Sequence, residues 1–151
     1  MIKITPVHNN ARDCGTCTKC CEGWLEATVL GQEIRQGSPC KFIVDNKCSI
    51  YQERPTDPCR TYRCEWLKTE TFPEWFQPSL ANIIITKRVP EDTTLTYYEV
   101  AECGTKIDST VLNWLILWAV REQVNLIYSV GGENHCLGNE RFYNEIVSRM
   151  A

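Results

Sequence analysis

Long apolar runs are scarce in this chain. The opening residues, MIKITPVHNNARD, hold no apolar stretch of the roughly seven to fifteen residues that a secretory signal needs. No Asn-x-Ser/Thr glycosylation acceptor occurs. The most apolar run, residues 111–120, is broken by Asn113 and followed by Arg121 and Glu122, and it is too short to span a bilayer. From these absences a cytoplasmic location and no membrane partner are expected, and in a reducing compartment stable disulfides are rare. Familiar enzyme signatures are missing as well: there is no G-x-G-x-x-G, P-loop, H-E-x-x-H or G-x-S-x-G. No catalytic residue can be assigned, and whether the protein is an enzyme stays open.

What is present is distributed unevenly. Residues 1–68 carry ten Lys and Arg against eight Asp and Glu, whereas residues 69–151 carry six against eleven. The net charge of −3 gives no general pull toward nucleic acid or an anionic surface. A nucleic-acid partner is not expected, and a protein partner is open. Eight of the ten cysteines lie within residues 14–64, leaving only Cys103 and Cys136 beyond. A length of 151 residues suits one compact domain. It divides into a cysteine-cluster metal-binding region, 1–69, and an α+β scaffold region, 70–151.

Gly15, Gly23, Gly31, Gly37, Pro39, Pro55 and Pro58 interrupt the first region, so long regular elements are not expected there. CKFIVDNKCSIY (residues 40–51) reads as a short hairpin turning at Asp45-Asn46. With Asn46 at its centre, Cys48 faces Val44, and alternation puts the Cys40 and Cys48 sulfurs on one face. FPEWFQP (72–78) is an aromatic connector. LANIIITKRV (80–89) and TTLTYYEVAE (93–102) are rich in β-branched and aromatic residues and flank Pro90-Glu91-Asp92, as an antiparallel hairpin would. Asp108 or Ser109 caps a mostly buried helix over about a dozen following residues. VNLIYSV (124–130) reads as a third strand before Gly131-Gly132, with His135 and Cys136 in a loop. NERFYNEIVSRM (139–150) suits a closing amphipathic helix. The fold class expected is α+β: an irregular cysteine-rich half packed on a small β-sheet with one or two helices.

The cysteines carry the chemistry. They fall as Cys14-x2-Cys17-x2-Cys20-Cys21, then Cys40-x7-Cys48, then Cys59-x4-Cys64. Short loops bring closely spaced thiolates around a metal at little entropic cost. The first three share the C-x2-C-x2-C spacing of ferredoxin-type iron–sulfur ligands. On an ideal helix Cys14, Cys17 and Cys21 share a face and Cys20 points away. Adjacent Cys20 and Cys21 are thus badly placed to bond one small ion, and suit two centres or opposite sides of a larger cluster. A disulfide framework is the alternative that the even count allows. The location and the size of the core argue against it. A single reactive thiol does not account for eight. Cys103, His135 and Cys136 carry no ligand spacing; a further ion site there, or outer ligands to the main site, is the minor alternative to ordinary packing. His8 reads as part of a loose lead-in over residues 1–13. The tryptophans read as core and connector packing.

CGTCTKCC, followed by PCKFI and NKCSIYQERPTDPCRTYRC, resembles the CxxCxxCC cysteine-cluster family, described as a zinc- or iron-chelating domain. The resemblance covers residues 14–64. It implies metal chelation by Cys14, Cys17, Cys20, Cys21, Cys40, Cys48, Cys59 and Cys64, and implies no reaction. A flagellin lysine methylase is the best-known relative, but nothing here matches an S-adenosylmethionine site. The cofactor expected is an iron–sulfur cluster or zinc, with the ferredoxin-like triple and the thiolate number favouring iron–sulfur. A small iron–sulfur redox or transferase enzyme is the alternative to a metal-binding protein. Four thiolates around Zn²⁺ or a four-iron cluster leave a charge of about −2. Arg54 and Arg60, and less so Arg63, are candidates to neutralise it and donate hydrogen bonds to coordinated sulfur. The alternative is that they are ordinary surface arginines.

This reading has a direct chemical test. Alkylation under denaturing, non-reducing, chelating conditions should label all eight cysteines within 14–64. Mass spectrometry showing four intact bridges would defeat the metal assignment in favour of a disulfide framework.

Overall fold

The computed structural model describes residues 12–15 and 17–150. Of the expected lead-in only Arg12 and Asp13 fall among them, so His8 lies outside. The first region is built from short pieces, as its glycines and prolines dictate. A 3-10 turn, Cys20–Glu22, ends at Gly23. Gly23 has φ +100, and a Cβ there would stand 2.1 Å from the Arg35 carbonyl oxygen, so the chain crosses at a point that admits only glycine. Two small hairpins follow. Strands β1 (Ala27–Val29) and β2 (Gln32–Ile34) pair through Leu30-Gly31, a hairpin that the sequence reading does not contain. Strands β3 (Ile43–Val44) and β4 (Lys47–Cys48) turn at Asp45-Asn46, both at positive φ.

The turn is where the sequence puts it, but the register differs. Cys48 pairs with Ile43, and Val44 pairs with Lys47. A two-residue loop centres the hairpin between Asp45 and Asn46, not on Asn46. Beyond β4 the chain makes short turns at Tyr51–Glu53 and Thr56–Arg60 before helix α1 (Glu65–Lys68).

The second region holds the sheet. Pro78 starts helix α2 (Pro78–Ala81), and Asn82 ends it in the left-handed conformation. Strand β5 (Ile83–Arg88) therefore begins three residues later than Leu80. It pairs antiparallel with β6 (Tyr97–Glu102). Asp108 accepts a hydrogen bond from Thr110 N and caps helix α3 (Ser109–Glu122). The helix returns the chain to β7 (Leu126–Val130), parallel to β6. Gly131-Gly132 then turns directly into β8 (Glu133–Leu137), giving the order β5-β6-β7-β8. Asn139 caps helix α4 (Glu140–Glu145), and a separate 3-10 turn, Val147–Met150, replaces the second half of the single closing helix expected. The class is mixed α and β with small sheets.

Alternation assigns the faces of β5. Ile83 and Ile85 share a face with Tyr98 and Val100 across the ladder, and Trp118 of α3 packs edge-on to Tyr98 at 5.2 Å. Ile84, Thr86 and Arg88 face the other way, toward the cysteine-rich half. There the Tyr62 hydroxyl meets Thr86 Oγ1 at 2.8 Å. The connector supplies Phe72 and Phe76, both essentially fully buried, against Trp114 and Trp118. The two halves share a core: Cys20, Trp24, Leu25 and Tyr62 pack on the cluster that holds Ile84 and Leu115. Gly104, at φ +83, lets the Trp24 ring approach to where a Cβ would be 2.8 Å away.

Helix α3 is not mostly buried. Val111, Leu115, Trp118 and Ala119 face the core, whereas Leu117 and Val120 stand in solvent. Its one-sided packing sets an expectation. Leu115→Ala should destabilise by about 2–5 kcal/mol, through lost burial and a residual cavity. Leu117→Ala should change stability by less than about 0.5 kcal/mol. Urea titrations of both variants check the contrast.

Candidate metal centre

All ten cysteines are free thiols. The eight within residues 14–64 line a single cavity of about 620 Å³, although they come from four separate local structures. Cys14, Cys17, Cys20 and Cys21 belong to the opening stretch, where Cys17 N donates to Cys14 O. Cys40 precedes the β3–β4 hairpin and Cys48 lies in it. Cys59 sits in the Thr56–Arg60 turn, and Cys64 immediately precedes α1. Cys40 lies before β3, outside the paired ribbon, so the expected common face of the ribbon does not apply, although both cysteines line the cavity. Cys40 and Cys64 are buried and the other six are half-buried. The β5 face completes the wall with Ile84 and Arg88.

The thiols crowd one another. Burial first, and then the charges of Cys17, Cys21 and Cys64, push the Cys14 thiol up to about 11, against an opposing pull from Arg54. Burial likewise raises Cys40, Cys59 and Cys64. The Cys20 and Cys21 sulfurs lie 3.9 Å apart. Their shared hydrogen bond is the main reason that the Cys20 thiol rises, with burial adding to it, and that the Cys21 thiol falls. Holding this many sulfurs as anions therefore needs a strong positive charge among them. Among the described residues, no three His, Cys, Asp or Glu side chains are grouped so as to hold a single metal ion.

The arginines take more specific places than the sequence assigned. Arg54 lies 3.8 Å over the Tyr51 ring and donates to Tyr51 O. Its charge also opposes, in small part, the rise that burial imposes on the Cys14 and Cys59 thiols. Arg60 donates to the Arg54 and Gln52 carbonyl oxygens. Both line the cavity, yet their hydrogen bonds go to backbone oxygens that fix the loop between Cys48 and Cys59. Arg63 lines the cavity too and is exposed. Sequence reasoning missed Arg12, whose guanidinium donates to the Trp66, Thr69 and Phe72 carbonyls and straps the opening stretch to α1. Tyr51, which lies within the stretch that carries the family resemblance but had no role assigned, accepts from Cys14 N through its hydroxyl.

Cys103 and Cys136 do not meet. Cys103 is buried near Lys19, Glu22 and Cys17, and its thiol is pushed up to about 12, chiefly by burial. Cys136 is exposed on β8, where His135 stacks on Tyr128. The loop expected around them is a strand, because Gly131-Gly132 makes a two-residue hairpin turn. No family model, curated protein or solved structure matches this chain.

The raised thiols make the metal-free protein sensitive to base. An unfolded thiol ionises near 9, and Cys14 in the fold near 11. Folding with Cys14 neutral is therefore fully favoured below pH 9 and progressively lost as pH rises toward 11. Urea midpoints of chelated, reduced protein should fall across that window, and Cys14→Ser should flatten the fall. A midpoint equally steep in the variant would place the effect elsewhere.

Proposed function

We propose that this is a thiolate-ligated metal-binding protein of a reducing compartment, whose ligands are Cys14, Cys17, Cys20, Cys21, Cys40, Cys48, Cys59 and Cys64. The observation that carries the proposal is that all eight line one cavity. Their chemistry fits a soft metal, whose positive charge offsets the repulsion that arises when the thiol protons leave. The resemblance to the cysteine-cluster family points the same way. An iron–sulfur group is favoured over bare zinc. Tetrahedral Zn–S bonds of about 2.3 Å draw sulfurs to about 3.8 Å from one another. A cluster carries its cysteines farther out on several iron atoms, which suits a cavity where no three donors converge. Such a cluster, when bound, supplies one-electron redox chemistry. Arg54 and Arg60 hold the intervening loop and temper the anionic charge.

A second reading, a small iron–sulfur redox or transferase enzyme, draws on the size of the cavity. About 620 Å³ lies in the range of small-molecule sites, and the wall mixes thiols with apolar Leu25 and Ile50 and the cation of Arg63.

Anaerobic purification with metal and sulfide analysis is the test. Brown protein absorbing near ~400 nm, with iron and acid-labile sulfide, is expected. Colourless protein with zinc would move the cofactor to zinc, and protein lacking both would defeat the proposal. Chelation should deprotect residues 14–64 in hydrogen exchange before it deprotects β5–β8, because metal-binding energy there acts as folding energy. Simultaneous loss of protection would make the shared core, not the metal, the support of that half.

A further inference from the structure

We propose that the eight thiols form two metal centres: Cys14, Cys17, Cys20 and Cys64 hold the first, and Cys21, Cys40, Cys48 and Cys59 the second. The partition rests on the metal-binding reading above. Backbone geometry divides the thiols. The turn from Cys14 O to Cys17 N, 2.6 Å, keeps the first two together. Cys20 and Cys64 pack on the main core. On the other side Cys40 N donates to Cys21 O at 2.8 Å, and Ile43, the ladder partner of Cys48, donates from N to Cys40 O at 3.2 Å. Cys21, Cys40 and Cys59 belong to a separate small cluster around Val29 and Ile34.

Electrostatic neighbourhoods divide in the same way. Cys14 feels Cys17 and Cys64, and Cys20 feels Cys14 and Cys64. Cys59 feels Cys21, Cys40 and Cys48. The influences that cross between the sets all involve Cys21: it acts on Cys14, and its hydrogen bond with Cys20 is the largest influence on both of those thiols. Although adjacent, Cys20 packs on the main core and Cys21 on the small cluster around Val29 and Ile34. Their sulfurs remain 3.9 Å apart, which sets the two centres side by side. Four cysteines complete a four-iron cluster or a tetrahedral zinc, so two sets of four use every thiol.

Metal content, native mass and circular dichroism of anaerobically purified full-length protein test the partition. Wild type should carry about eight irons, or about two zincs. Cys48→Ser and Cys64→Ser should each lose about half of the metal, and the two together nearly all of it. Cys48→Ser with Cys59→Ser, both from one set, should lose no more than Cys48→Ser alone. Wild type with metal for one centre overturns the partition, as does a folded Cys48→Ser protein emptied of metal. Wild type with no metal overturns instead the reading on which the partition rests. Should the variants unfold, stepwise chelation of wild type decides. A half-loaded species in native mass spectra supports two centres, and passage from full to empty with none overturns them.

Discussion

The crowding of eight thiols into one cavity is the constraint around which the N-terminal half is arranged. Apolar burial and neighbouring thiolates both oppose ionisation, as Cys14 records most plainly. Beside the cavity a small cluster has Val29, Ile34 and Cys40 as its buried members, while Trp24, Leu25 and Tyr62 lean on the main core. Backbone devices and cations do the rest. Gly23 permits a close crossing, Arg54 and Arg60 clamp a loop, and Arg12 gathers three carbonyls of a distant segment. Each of these fixes a piece of chain that carries a cysteine or adjoins one.

The C-terminal half provides what the thiols cannot. Its sheet is covered on one face by α3. On the other face β5 meets the cysteine-rich half through Ile84, Thr86 and Arg88. Farther along that face Tyr97 and Ile127 pack under Phe142 and Ile146 of the closing segment. One strand therefore serves as the floor of the cavity and as the backbone of the core. Ile83, Ile84 and Ile85, all buried, are the sequence expression of that double duty.

The β5–β6 pair, the Asp108 cap, β7 and the Asp45-Asn46 turn were legible, since each depends on local chemistry. The hairpin register was not, because a slip of one residue leaves the same turn sequence in place. The strand β8 was hidden by its polar edge composition, although Gly131-Gly132 signals a tight turn. Half of α3 was assigned to the core because its solvent face keeps Leu117 and Val120. For the site, spacing marked the eight cysteines that share the cavity. Arg12 and Tyr51 could not be found that way. They act across 54 and 37 residues of chain, on partners that only the fold brings near.

The floor of the cavity lies late in the chain, and this has a consequence for biosynthesis. A ribosome adding about 5–20 residues per second delivers all eight cysteines before β5 exists, and α3 later still. The nascent thiols therefore meet the cell as an open, unwalled string for several seconds. Any metal captured in that interval is held without Ile84 and Arg88 behind it. Final enclosure waits for the C-terminal half, so the order of synthesis leaves the thiols open to oxidants for a defined period before they are walled in.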